Sequence, residues 1–92
     1  MGGGCIFGGK LQRGQNGNFF EVGHLPVGYA AHLTPRRCGC GNEGCLETLS
    51  SATGISASYL EYSGKQLTAA EIAEKAREGD SSAIRALSLI HI

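Results

Sequence analysis

The sequence has no excess of charge of either sign. Eight Lys and Arg balance eight Asp and Glu, giving a formal net charge of +0. That excludes a basic face offered to nucleic acid and an acidic tail offered to a basic partner. No basic start followed by an apolar stretch marks a secretory signal, and no apolar run is long enough to cross a membrane. These absences point to a reducing cytoplasmic setting, where clustered cysteines are more often metal ligands than disulfides. Internal repeats and low-complexity linkers are also missing. At 92 residues the chain is one small domain or a piece of a larger one. A chain this short buries a modest share of its surface, so a structural metal helps it.

Hydrophobic content of 41% and charged content of 17% suit a globular protein. The 15 glycines are about twice the usual share of ~7% and cluster before position 45. Cys5, Cys38, Cys40 and Cys45 all fall in the first half. An even count also permits two disulfides in a secreted mini-protein, although Cys38 and Cys40 are too close for easy mutual pairing.

The run Cys38-Gly39-Cys40-Gly41-Asn42-Glu43-Gly44-Cys45-Leu46-Glu47, with Glu21-Val22-Gly23-His24 upstream, carries the chemistry. It supplies three thiolates and one imidazole, enough for a closed tetrahedral zinc site. Gly39, Gly41 and Gly44 are expected to give the backbone freedom to fold between ligands. Cys45 is expected at a helix start, where the dipole favours a thiolate. Four protein ligands leave no open position, so such a zinc is structural. The plainer alternative is a set of free buried thiols or one disulfide. Glu21 and Glu47 flank the ligands; ionised carboxylates accept hydrogen bonds, which suits a ligand rich in hydroxyls. Glu47 also reads as a first-turn residue complementing a helix dipole.

Local structure is legible in parts. Two short strands around Gly8-Gly9 give a hairpin signal. Arg13 to Asn18 reads as a loop, with Asn16 and Asn18 as turn residues. A helix is expected from near Cys45 toward Tyr59 or Tyr62, with Gly54 as the point of interruption. Leu46, Leu49, Ile55 and Leu60 form its imperfect apolar stripe. Thr68 with Glu71 makes a capping box, Leu67 with Ile72 a hydrophobic staple, Gly79 a stop, and Asp80 the next N-cap. Glu71 and Lys75 are spaced for an i,i+4 pair. Tyr59, Tyr62, Phe7 and Phe19 read as packing groups. Arg36 and Arg37 read as solvated loop residues with a possible reach to phosphate.

Taken together, the motifs resemble the ROK family, named for repressors, open reading frames and sugar kinases. Gly2-Gly3-Gly4 with Gly14, then Glu21-Val22-Gly23-His24, is similar to its glycine-rich signature. Residues 38–47 resemble its zinc motif, and Gln66 through Asp80 resembles the segment that follows in bacterial glucokinases. The resemblance implies an α/β fold, part of the second domain of an actin-like ATPase of the ribonuclease H type, with a zinc loop followed by helices. It implies zinc on His24, Cys38, Cys40 and Cys45, and sugar contacts from Glu21, His24 and Glu47. It places Gly2, Gly3 and Gly4 near nucleotide phosphates. The implied parent is a cytoplasmic, ATP- and Mg²⁺-dependent hexose kinase acting on a sugar hydroxyl, such as O6 of glucose, and assembled as a homodimer or larger homo-oligomer. The first phosphate loop and the catalytic aspartate are expected outside these residues, which leaves the 92-residue chain inactive by itself. The alternative is the sugar-sensing domain of a ROK transcriptional repressor, the one case that brings in nucleic acid.

Two departures from the family pattern stand out. Phe20 occupies a position that is usually small, which puts sugar identity in question. The connection from His24 to Cys38 is longer than usual and brings His32 in as a rival ligand. Residues 87–92 resemble translated transposon-end sequence. They read as a non-native tail that leaves 1–86 as a partial domain, and His91 carries no function in that reading.

Overall fold

In the computed structural model, residues 2–17, 21–27 and 36–89 are described. The expectations for Asn18, Phe19, Phe20, His32 and His91 lie outside them. Strands β1 (Cys5–Phe7) and β2 (Lys10–Gln12) pair antiparallel, with Ile6 opposite Leu11. Gly8 and Gly9 both have positive φ, 58° and 77°, as a two-residue hairpin turn of matching twist requires. Ile6 and Phe7 are 72% and 78% exposed. Phe7 is therefore not the packing group expected of it: a three-residue ribbon offers no second layer to cover its side chain.

Among the described residues, four α-helices follow: α1 (Glu47–Ser50), α2 (Ala52–Ser63), α3 (Ala69–Arg77) and α4 (Ser81–Ser88). The helix expected from Cys45 to about Tyr62 is thus two helices, and the break falls at Ser51 rather than Gly54. Ser51 is extended (φ −75°, ψ 167°), and its hydroxyl accepts from the Gly54 N–H at 3.1 Å, capping α2. Gly54 is instead a close-approach residue inside α2. A Cβ there would lie 2.5 Å from the Thr48 carbonyl oxygen and 2.8 Å from the Leu49 carbonyl carbon. Without that carbon, the last turn of α1 lies directly on α2.

Helices α2, α3 and α4 enclose the core. Tyr59, Ile72, Ala83 and Ala86 are buried, and Ile55, Tyr62, Leu67, Ala76 and Leu87 pack against them. Ala83 and Ala86 are small, so the axis of α4 can come close to its neighbours. The Tyr59 hydroxyl donates to Asp80 at 3.5 Å. The expected signals of α3 are all present. Thr68 accepts from the Glu71 N–H and Glu71 accepts from the Thr68 N–H, while Leu67 packs against the core cluster that includes Ile72. At the other end Gly79 (φ 91°) donates to Ala76 and Asp80 N–H donates to Lys75 O, a Schellman pattern. Asp80 then caps α4 through the Ala83 N–H at 2.9 Å. The Glu71–Lys75 pair does not form, because Glu71 is held by its capping box; Lys75 faces Glu78 at 4.0 Å instead. Helix α4 continues through Ser88, two residues into the segment read as a tail. Among the described residues, no helix is long and apolar enough to cross a membrane.

Candidate metal centre and the acids beside it

The cysteine-rich run folds back against the segment that carries His24. Val27 N–H donates to Gly44 O at 3.1 Å and Leu46 N–H to Leu25 O at 2.9 Å, bracketing an antiparallel bridge between Pro26 and Cys45. Pro26 occupies a position whose N–H no ladder bond needs, so a residue without that donor fits. A second bridge joins Arg37 to Glu43. It is bracketed by Cys38 N–H to Asn42 O at 2.7 Å and Gly44 N–H to Arg36 O at 3.1 Å. Gly41 and Gly44 turn the chain with φ of 95° and 75°. Gly39 keeps an ordinary φ, so its expected conformational role is not used. The short 3₁₀ turn Val22–His24 aims the imidazole at the same place.

These folds gather four side chains. The nearest ligand atoms of His24, Cys38, Cys40 and Cys45 all lie within 4.8 Å of one another. His24 Nδ1 is 3.4 Å from Cys38 Sγ, and Cys40 Sγ is 3.6 Å from Cys45 Sγ. Four donors held about 2.0–2.3 Å from one ion in a tetrahedron are separated by roughly 3.5–3.8 Å. The 3.4 Å and 3.6 Å separations are close to that spacing. All four described cysteines are free thiols, and Cys5 stands apart on β1. The three clustered sulfurs with one imidazole form a soft, closed donor set of the kind that selects zinc over magnesium or calcium.

The thiols differ among themselves. Burial pushes the Cys45 thiol up to about 12, with the neighbouring Cys40 and Cys38 adding to the shift. This corrects the expectation of a helix-favoured thiolate. The one-turn α1 starts two residues later, and Cys45 lies in the bridge to Pro26. Cys40 moves the other way, to about 7, chiefly because the Asn42 backbone N–H donates to it. Packed thiols without a cation resist ionising together; a divalent ion reverses that preference.

The acids take different positions. Glu47 opens α1, is half-buried, and lines an open cleft of about 270 Å³ together with Arg36, Cys38, Thr48 and Gly54. Glu21 is exposed and is not among the described residues lining that cleft; its backbone carbonyl accepts from His24 N–H at 3.1 Å. Gly2, Gly3 and Gly4 are exposed ahead of β1. Arg36 departs from the solvated role its sequence position predicts. Instead of being solvated, its side chain is only 15% exposed and bonds into α1 and α2. A basic residue two positions before a ligand carries no local signal for such a role. Arg37 is exposed, as expected.

A family model described as "ROK family" matches residues 1–91. An N-acetyl-D-glucosamine kinase of Histophilus somni is 38% identical over 96 residues, covering 97% of this chain and 32% of that protein. One from Vibrio cholerae is 36% identical over 90 residues, covering 91% of the chain and 30% of that protein. The crystal structure of a ROK hexokinase from Thermus thermophilus superposes with a TM-score of 0.68 at 33% identity, covering 97% of this chain and 28% of that one. The chain spans about a third of the length of the curated relatives it matches, 32% in the first case.

Proposed function

The chain belongs to the ROK family, and from that premise we propose that it is part of an ATP-dependent hexose kinase whose sugar site is braced by structural zinc. Its fold is α/β, in keeping with part of the second domain of an actin-like ATPase. The observation that carries the proposal is the convergence of His24, Cys38, Cys40 and Cys45, whose ligand atoms all lie within 4.8 Å of one another. His24 Nδ1 faces Cys38 Sγ at 3.4 Å, on the side where a metal would be held, which leaves Nε2 to donate to a sugar hydroxyl. Glu47, two residues after Cys45, and Glu21, three before His24, accept from further hydroxyls. Zinc held by His24, Cys38, Cys40 and Cys45 would supply rigidity and no Lewis-acid chemistry, since all four positions would be filled by protein.

The transferred group comes from ATP with Mg²⁺, and the carboxylate that takes the sugar proton lies outside these residues. These residues hold and orient the acceptor sugar. The kinase names of the relatives favour this reading over a sugar-sensing repressor. Glucose and N-acetylglucosamine are the two sugars to try, with O6 as the acceptor. Gly2 to Gly4 near the nucleotide, a homo-oligomeric parent and a cytoplasmic location belong to the same proposal. So does the reading of residues 87–92 as a foreign tail, which an uninterrupted genomic frame continuing through them would end.

The test is sugar-dependent ADP release by the full-length protein. Turnover with either hexose, lost in His24→Ala, is the expected result. A full-length protein that holds zinc and binds operator DNA without phosphorylating any hexose contradicts it.

A further inference from the structure

Helix α1 is a single turn, Glu47–Ser50, and one turn has little stability of its own. What grips that turn therefore helps to fix where Glu47 sits. One grip is the burial of Leu49. Another is Arg36, whose Nη1 donates to the Thr48 carbonyl at 2.8 Å, one residue from Glu47. The same nitrogen reaches the Gly54 carbonyl at 3.1 Å and Ser58 Oγ at 3.0 Å in α2, while Nη2 meets Glu61 at 3.3 Å. The Arg36 carbonyl accepts from Gly44 N–H, inside the metal loop. One residue thus joins the loop that carries the cysteines, the turn that carries Glu47 and the long helix behind both. The junction is tight, because Gly54 leaves no room for a Cβ against Thr48.

We propose that Arg36 is a positioning residue for the sugar-binding carboxylate of Glu47, fixing α1 relative to the metal loop. This rests on the sugar-binding role proposed above for Glu47. A planar fork with several donors can serve carbonyls on two helices at once. Lysine, a point charge on a flexible stem, can serve fewer of them in a fixed direction. The segments that carry the ligands are joined by their own backbone bridges, Pro26 to Cys45 and Arg37 to Glu43, so metal binding is expected not to depend on the guanidinium.

The experiment uses the full-length zinc-loaded protein, with glucose and N-acetylglucosamine as sugar probes. KM and kcat are read separately for Arg36→Met, Arg36→Lys, Glu47→Gln and the double variant Arg36→Met/Glu47→Gln. Metal content and the Co²⁺ ligand-field spectrum are read beside them. Arg36→Met is expected to raise the sugar KM on the order of tenfold, since small misplacements of a positioning group are costly. Arg36→Lys is expected to raise it less. Metal stoichiometry and the Co²⁺ spectrum stay unchanged, and in the Glu47→Gln background Arg36→Met has no further effect. If Glu47→Gln raises KM while Arg36→Met and Arg36→Lys leave it unchanged, the positioning role is wrong and the sugar site stands. An additive effect in the double variant, or loss of metal in a folded Arg36 variant, also overturns it. A Glu47→Gln protein with unaltered KM removes the sugar role of Glu47, and this inference with it. Should Arg36→Met fail to fold, Arg36→Lys decides: a raised KM with metal retained upholds the role, and an unchanged KM overturns it.

Discussion

Cys40 and Cys45 lie 3.6 Å apart and shift in opposite directions from the ordinary thiol value of 9.0. The exposed Cys40 receives a backbone N–H, while the buried Cys45 loses water. In the metal-free chain, iodoacetamide at neutral pH is expected to label Cys40 well ahead of Cys45, as peptide mapping would show, and zinc is expected to protect both. Zinc affinity follows the thiolates, so it weakens as pH falls through 7, where Cys40 takes up its proton; a competition titration across that range checks the sign. Cys45 has the opposite linkage. Above pH 9 an unfolded Cys45 ionises while the folded one holds its proton to about 12. Its contribution to metal-free stability therefore declines as pH rises across that window. The ligands were legible in the sequence because metal-site spacing is compact. The environment of each thiol was not, since it depends on which backbone amide or neighbour each one meets. Arg36 was illegible for the same reason: its acceptors lie 12 to 25 positions away along the chain.

At the scale of elements, structure specified within a few residues was readable, and structure specified by contact was not. The capping box of α3, its staple, its glycine stop and the Asp80 cap each rest on residues no more than six apart, and all are present. Thr68→Ala is expected to destabilise the chain by about 1 kcal/mol in chemical denaturation, the usual cost of a lost cap. The break at Ser51 was hidden because the apolar stripe from Leu46 to Leu60 continues across it. What imposes the break is the packing of Thr48 and Leu49 on Gly54, a contact between elements. Gly54→Ala is expected to cost about 1–3 kcal/mol by overpacking, because the atoms in the way are backbone and cannot swing aside. A wild-type unfolding midpoint in that variant would mean the junction is looser than described.

Across the whole molecule, two supports are separable. The buried set Tyr59, Ile72, Ala83 and Ala86 joins α2, α3 and α4 without any metal ligand, whereas Cys38 and Cys45 are buried in the loop. Chelation under reducing conditions is therefore expected to loosen residues 36–46 while the helices persist. Hydrogen exchange would show protection lost in the loop and kept in α2 to α4. The hairpin keeps its apolar residues in water, Leu11 at 53% exposed among them. The proposed kinase reading puts the catalytic carboxylate elsewhere, so the 92-residue chain alone is expected to release no ADP with ATP and hexose. X-ray absorption at the zinc edge on the purified, reduced chain reads the metal and its ligands directly. One equivalent of zinc is expected, in a four-coordinate shell of three sulfurs at about 2.3 Å and one nitrogen at about 2.0 Å. Metal far below one equivalent, or a shell of oxygen and nitrogen without sulfur, would contradict it.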